Sequence, residues 1–88
     1  MAFPKQLLAI DKSLEKRFEG EGVFLGRTSR VRNGMGIMIY EQEGLYYIGS
    51  WVNNYRQGLG YMIYSDGSYY QGEWYQNQAY GNGLYYNP

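Results

Sequence analysis

Hydrophobic and polar positions along the chain change their period once, near residue 20. Before that point Leu7, Ile10, Leu14 and Phe18 recur at intervals of three, four and four residues, which is one face of an amphipathic helix. Pro4 suits a first helical turn, where its missing N–H is not needed, and Gly20 and Gly22 end the pattern. The spacing predicts one helix over residues 4–18, within an N-terminal segment 1–19. Beyond Gly20 the alternation has a period of two, the mark of half-buried strands.

The strand region also repeats itself. Tyr47-Ile48-Gly49-Ser50-Trp51 returns as Tyr70-Gln71-Gly72-Glu73-Trp74, 23 residues on. Gly26, Gly49 and Gly72 keep that spacing, and Gly34/Gly36, Gly58/Gly60 and Gly81/Gly83 form a second recurring pair. In the first copy this pair arrives one residue early and the turn Glu41–Gly44 is one residue longer, so the period is restored by Tyr47. Turns that absorb length while strands keep theirs produce such compensation. A period of this size predicts a repeat architecture.

Each copy reads as two strands. The first carries Tyr-x-Gly-x-Trp, a loop follows (52–57 in the second copy), and the second strand runs from Gly-x-Gly to Tyr64. Asp66-Gly67 is a hairpin signal. The prediction is an all-β fold: an antiparallel hairpin meander of five or six strands in a single twisted, rod-like sheet, with one N-terminal α-helix. The sheet occupies residues 20–88, as a degenerate repeat 24–46, a full repeat 47–69 and a partial repeat 70–88. Glycine in mid-strand needs a reason, and a neighbouring ring lying over the bare backbone at Gly49 and Gly72 supplies one.

Composition narrows the chemistry. The 88 residues contain no cysteine and no histidine, so disulfides, thiolate metal sites and the commonest general base are all absent. Two aspartates, Asp11 and Asp66, stand far apart in sequence, one in the predicted helix and one in a turn, and offer no paired-carboxylate site. Neither enzyme activity nor any metal or cofactor is expected. Eight basic residues balance eight acidic ones, which disfavours nucleic acid as a partner. No apolar run reaches transmembrane length and no secretory leader is evident, so the expected location is intracellular. All twelve tyrosines fall at or after Tyr40, and with thirteen glycines they suit twisted strands and tight turns.

The motif Tyr-x-Gly-x-Trp, then Gly-x-Gly, then an Asp-Gly turn resembles the unit of the MORN (membrane occupation and recognition nexus) repeat family. Residues 47–69 follow it throughout, and residues 70–88 follow it to the end of the sequence. Residues 24–46 follow it less closely, with Phe24 in place of the tyrosine and Thr28 in place of the tryptophan. The resemblance spans about 65 of the 88 residues. It implies an elongated sheet with an aromatic-lined groove and a scaffold role in cilia, cytoskeletal assemblies or membrane junctions.

Three candidate surfaces follow. Tyr40, Tyr47, Trp51, Tyr64, Tyr70 and Trp74 occupy matching positions and should gather on one side, either as core or as a groove for a helix or extended segment of a protein partner. Leu84, Tyr85 and Tyr86 lie in the last predicted strand, an open edge that a second copy or another chain is expected to pair with. Arg27, Arg30 and Arg32 form the basic cluster of the repeats, either solvated or a patch for anionic phospholipid. The N-terminal helix serves as a cap on the stack or as an anchor on a membrane or partner; a mitochondrial presequence is a third role, opposed by Asp11, Glu15 and Glu19. The expected function is a non-catalytic scaffold subunit of a ciliary or cytoskeletal assembly. The alternative is a membrane-surface adaptor that uses the basic cluster and the helix.

Overall fold

The computed structural model describes residues 15–18, 20–28 and 30–88. Among these, seven strands follow one another in a single antiparallel sheet, each paired with its neighbours in sequence. They are β1 (Glu15–Phe18), β2 (Gly22–Thr28), β3 (Arg32–Tyr40), β4 (Leu45–Val52), β5 (Tyr55–Ile63), β6 (Tyr69–Tyr75) and β7 (Gln78–Tyr86). The six strands from β2 onward are the expected meander. The short β1 adds a seventh by pairing Glu15–Phe18 against Leu25–Gly22.

Most of the predicted helix, residues 4–14, lies outside the described residues. Its last four positions are strand, because β2 presents an open row of backbone donors and acceptors that β1 satisfies. The boundary drawn after residue 19 therefore falls inside a hairpin.

Turn chemistry fixes the register. Asn53 and Asn54 have φ of 48° and 72°, and Gln76 and Asn77 have 46° and 70°. Both central residues at positive φ make a tight two-residue hairpin whose twist matches its strands. The loop predicted over 52–57 is therefore a two-residue turn, and β5 begins at Tyr55. The slack goes elsewhere. Between Gly49 and Trp51 on β4 the facing strand carries two extra residues, and Gly58 takes them up at φ 98°.

The Asp66-Gly67 turn works by a different bond set. Asp66 Oδ1 accepts from the Ser68 backbone N–H at 2.8 Å and from its hydroxyl at 2.6 Å, while Tyr64 N–H donates to Ser68 O at 2.9 Å. Only Gly67 of that pair needs positive φ, 88°. These bonds hold the Asp66 carboxyl below the ordinary carboxylate range.

Alternation along the strands separates two apolar faces. One gathers Phe24, Met38, Tyr47, Trp51, Met62 and Trp74, with Tyr40, Leu45, Tyr64 and Tyr70 against them. The other gathers Ile48 and Ile63 with Ile37, Tyr46, Tyr61 and Tyr69. A single sheet that buries residues on both faces positions everything that follows.

Candidate functional site

The first face is built on cross-strand pairs of glycine. Gly26 faces Gly36, Gly49 faces Gly60, and Gly72 faces Gly83. Over each pair lies one ring: Phe24, Tyr47 and Tyr70 respectively. A methyl group at Gly60 would overlap the Tyr47 hydroxyl, and one at Gly36 would overlap the Phe24 ring. The remaining repeat glycines, Gly34, Gly58 and Gly81, line none of these floors; all three have positive φ and form the bulges.

The two tryptophans fill the gaps between these rings. Phe24–Trp51 and Tyr47–Trp51 stand 5.2 Å apart, and Tyr47–Trp74 and Tyr70–Trp74 5.4 Å, at interplanar angles of 85° to 88°. Edge-to-face contacts of this kind add about 0.5–1.5 kcal/mol each beyond the area they bury. The result is one continuous ladder, Phe24–Trp51–Tyr47–Trp74–Tyr70. Trp51 Nε1–H donates to the Gly36 carbonyl and Trp74 Nε1–H to the Gly60 carbonyl, each at 3.3 Å, so each indole is anchored in the repeat before its own.

Two arginines seal the ladder. Arg56 spreads over Trp74, Tyr40 and Tyr47, with its guanidinium carbon 5.3, 5.7 and 5.9 Å from the ring centres. It also donates to the Tyr40 hydroxyl and to the Asn77 carbonyl. Arg32 does the same one repeat earlier, 4.9 Å over Trp51, with Nε–H donating to Asn54 Oδ1 at 3.0 Å and an ion pair to Glu21 at 3.1 Å. Asn54 and Asn77 return backbone bonds to the same arginines. Each arginine thus staples its repeat to the turn of the next.

The predicted stripe is brought together on one face, but unevenly. Tyr47 is 0% exposed, Trp51 2% and Trp74 7%. These are core. Burial pushes the Tyr47 phenol far above its ordinary pKa, and pushes the Tyr40 phenol up as well, against the pull of Arg56. Tyr40, Tyr64 and Tyr70 are half-buried. Tyr70 belongs to the ladder, and Tyr40 is held by Arg56. Tyr64 packs against the same cluster but covers no glycine pair, and it meets the exposed Tyr85 at 6.4 Å on the same face. Tyr85 was predicted as an edge residue; its side chain extends the stripe. Leu84 and Tyr86, its neighbours on β7, point to the other face and are exposed.

The basic cluster separates. Arg32 is 6% exposed and committed to Trp51, Asn54 and Glu21, while Arg27 and Arg30 face solvent. Sequence reasoning missed Arg56, Asn54 and Asn77. Their signal was present: Asn54 and Asn77 lie 23 residues apart, and Arg32 and Arg56 differ from that by the one residue that the first copy is short.

Compared with known families, the chain matches the MORN repeat model at residues 47–69 and 70–88. These are the two copies that supply Tyr47, Trp51, Tyr70 and Trp74, and the boundaries coincide with those set by the 23-residue spacing. Over residues 47–88 the chain belongs to the MORN repeat family, whose repeats mediate protein or membrane interaction.

Proposed function

We propose that the protein is a non-catalytic scaffold subunit that holds a protein partner against the open rim of its aromatic face. One observation carries this reading. Tyr64 and the 57%-exposed Tyr85 extend the buried ladder outward, so a rigid, glycine-floored sheet presents phenol rings at its surface. Tyrosine in such a setting offers contact area with little entropy to lose, and it is a preferred interface residue. A helix or extended segment of the partner fits the shape. Placement in a ciliary or cytoskeletal assembly rests on the resemblance of residues 47–88 to other MORN repeats.

The test compares the wild-type chain with Tyr64→Ser/Tyr85→Ser as bait in a lysate of ciliated cells. The protein retained in stoichiometric amount is then made separately and titrated against both baits. The scaffold reading requires that the double variant keeps its tryptophan near-ultraviolet signal and loses that protein, with affinity little changed by salt. Retention of anionic vesicles that salt abolishes, with no protein retained, would instead favour a membrane-surface role built on Arg27 and Arg30.

A further inference from the structure

The second face of the sheet carries its own apolar row. A row of side chains crosses the strands in register: Leu25, Ile37, Ile48, Tyr61, Gln71 and Leu84. Its burial is not uniform. Ile48 is completely buried, whereas Gln71 is exposed and Leu84 is 63% exposed. Side chains on one sheet face stand beside one another and leave their tips outward, as the far end of the row shows. Ile48, on the central strand β4, is packed by Ile37, Tyr46, Ile63, Tyr61 and Tyr69, whereas Leu84 lies on the edge strand β7. The residue types change with it. Gln71 occupies, one repeat later, the position of Ile48, so the row is apolar in its first half and interrupted by a polar residue in its second.

We propose that the amphipathic segment 4–14 of this chain covers the first half of that row. Three observations support this occupant. The segment carries the apolar stripe Leu7, Ile10 and Leu14. It joins the sheet at Glu15, which is paired with Leu25, so it starts at the height of the row and at its first member. Its reach also fits. Eleven helical residues extend about 16 Å, and the three strand spacings from Leu25 to Tyr61 add up to about 14 Å. A fourth spacing would be needed to reach Gln71, and there the row turns polar. Leu14 thus lies near Leu25 and Ile37, Ile10 near Ile48, and Leu7 near Tyr61.

This goes beyond the scaffold reading, which concerns the opposite face, and its failure would leave that reading intact. It makes the N-terminal segment an intramolecular cover. Leu59, which is 70% exposed, stays bare on the second face, as do Met35, Leu84 and Tyr86.

The absence of cysteine makes a direct test possible. Leu7→Cys/Tyr61→Cys is oxidised as the full-length chain at low concentration, beside Leu7→Cys/Tyr64→Cys, which places the second thiol on the other face. The proposal expects an intramolecular disulfide in the first variant and little in the second, since a bridge forms only where Cα atoms come within about 7 Å. A second pair, Leu14→Cys/Ile37→Cys, guards against a local folding defect in the first. Equal bridging to both faces, or no intramolecular bridge in either second-face pair, overturns it. Bridges only between chains also overturn it, and make a second copy the occupant. So does capture of the Leu7 and Ile10 stripe by vesicles with the second-face pairs left unbridged.

Discussion

Repeats 24–46 and 47–69 share a backbone plan and differ at the two positions where their aromatic residues should match. Phe24 covers its glycine pair as Tyr47 covers the next, but it has no hydroxyl, whereas the Tyr47 hydroxyl donates to the Ser50 carbonyl at 2.9 Å. Thr28 stands where Trp51 stands one repeat later. The structure explains the second difference. Each tryptophan docks on the glycine carbonyl of the preceding repeat. Among the described residues, the one strand before β2 is the four-residue β1, which supplies no such glycine floor for an indole at position 28. Departures from the repeat motif here mark the start of the stack and not a loss of the fold. The interlock also has a direction: a repeat lends its glycines and its arginine, and receives the ring and the turn of its successor.

The largest expected effect breaks this contrast at its centre. Trp51→Ala removes a buried indole from between Phe24 and Tyr47 and should cost about 3–5 kcal/mol in urea unfolding. Thr28→Ala should stay within about 0.5 kcal/mol. Equal losses would mean that position 28 carries hidden packing.

Next comes the floor. Gly60→Ala and Gly36→Ala each place a methyl group against a ring, Tyr47 or Phe24, and should each cost about 1–3 kcal/mol from overpacking. Pairing Gly60→Ala with Tyr47→Leu tests the cause. A cycle showing no coupling between them would remove the ring from the explanation.

Smaller again is Tyr47→Phe, which makes the second repeat resemble the first. It loses one hydrogen bond, about 1 kcal/mol at neutral pH, and it also changes the alkaline limb. Burial raises the Tyr47 and Tyr40 phenols, so the folded state holds these protons more tightly than the unfolded chain. Their contribution is therefore constant below about pH 10, the unfolded phenol value. It is lost as pH climbs above 10 through the raised folded values. Tyr47→Phe should flatten that fall, and an unchanged limb would count against a buried phenol.

The smallest effect is at the turn. Asp66 is held below its ordinary pKa by Ser68, so its contribution is present above about pH 4 and lost as pH falls through the lowered folded value. Asp66→Ala should remove that acid limb and leave the ladder's near-ultraviolet signal in place.

The sequence made the repeat, the strand alternation and the role of the ring-covered glycines legible, because each depends on residues that recur at fixed spacing. The staples were harder to read. Arg32 and Arg56 resemble ordinary solvated cations until the two-residue turns at Asn54 and Asn77 bring a carbonyl and a tryptophan to each. That depends on Asn at positive φ and on the bulge at Gly58, which together move the start of β5 to Tyr55. The division of the stripe was likewise hidden, since Tyr64 and Tyr47 look alike in sequence. Only packing shows that one covers a glycine pair and the other does not.

That division is the central claim, and urea unfolding of Trp74→Leu beside Tyr64→Ser/Tyr85→Ser tests it most directly. The expected result is a loss of about 2 kcal/mol or more for the ladder variant. The rim variant should shift by no more than about 0.5 kcal/mol per substitution. Equal destabilisation would show that Tyr64 and Tyr85 are core and that the face has no open rim to offer a partner.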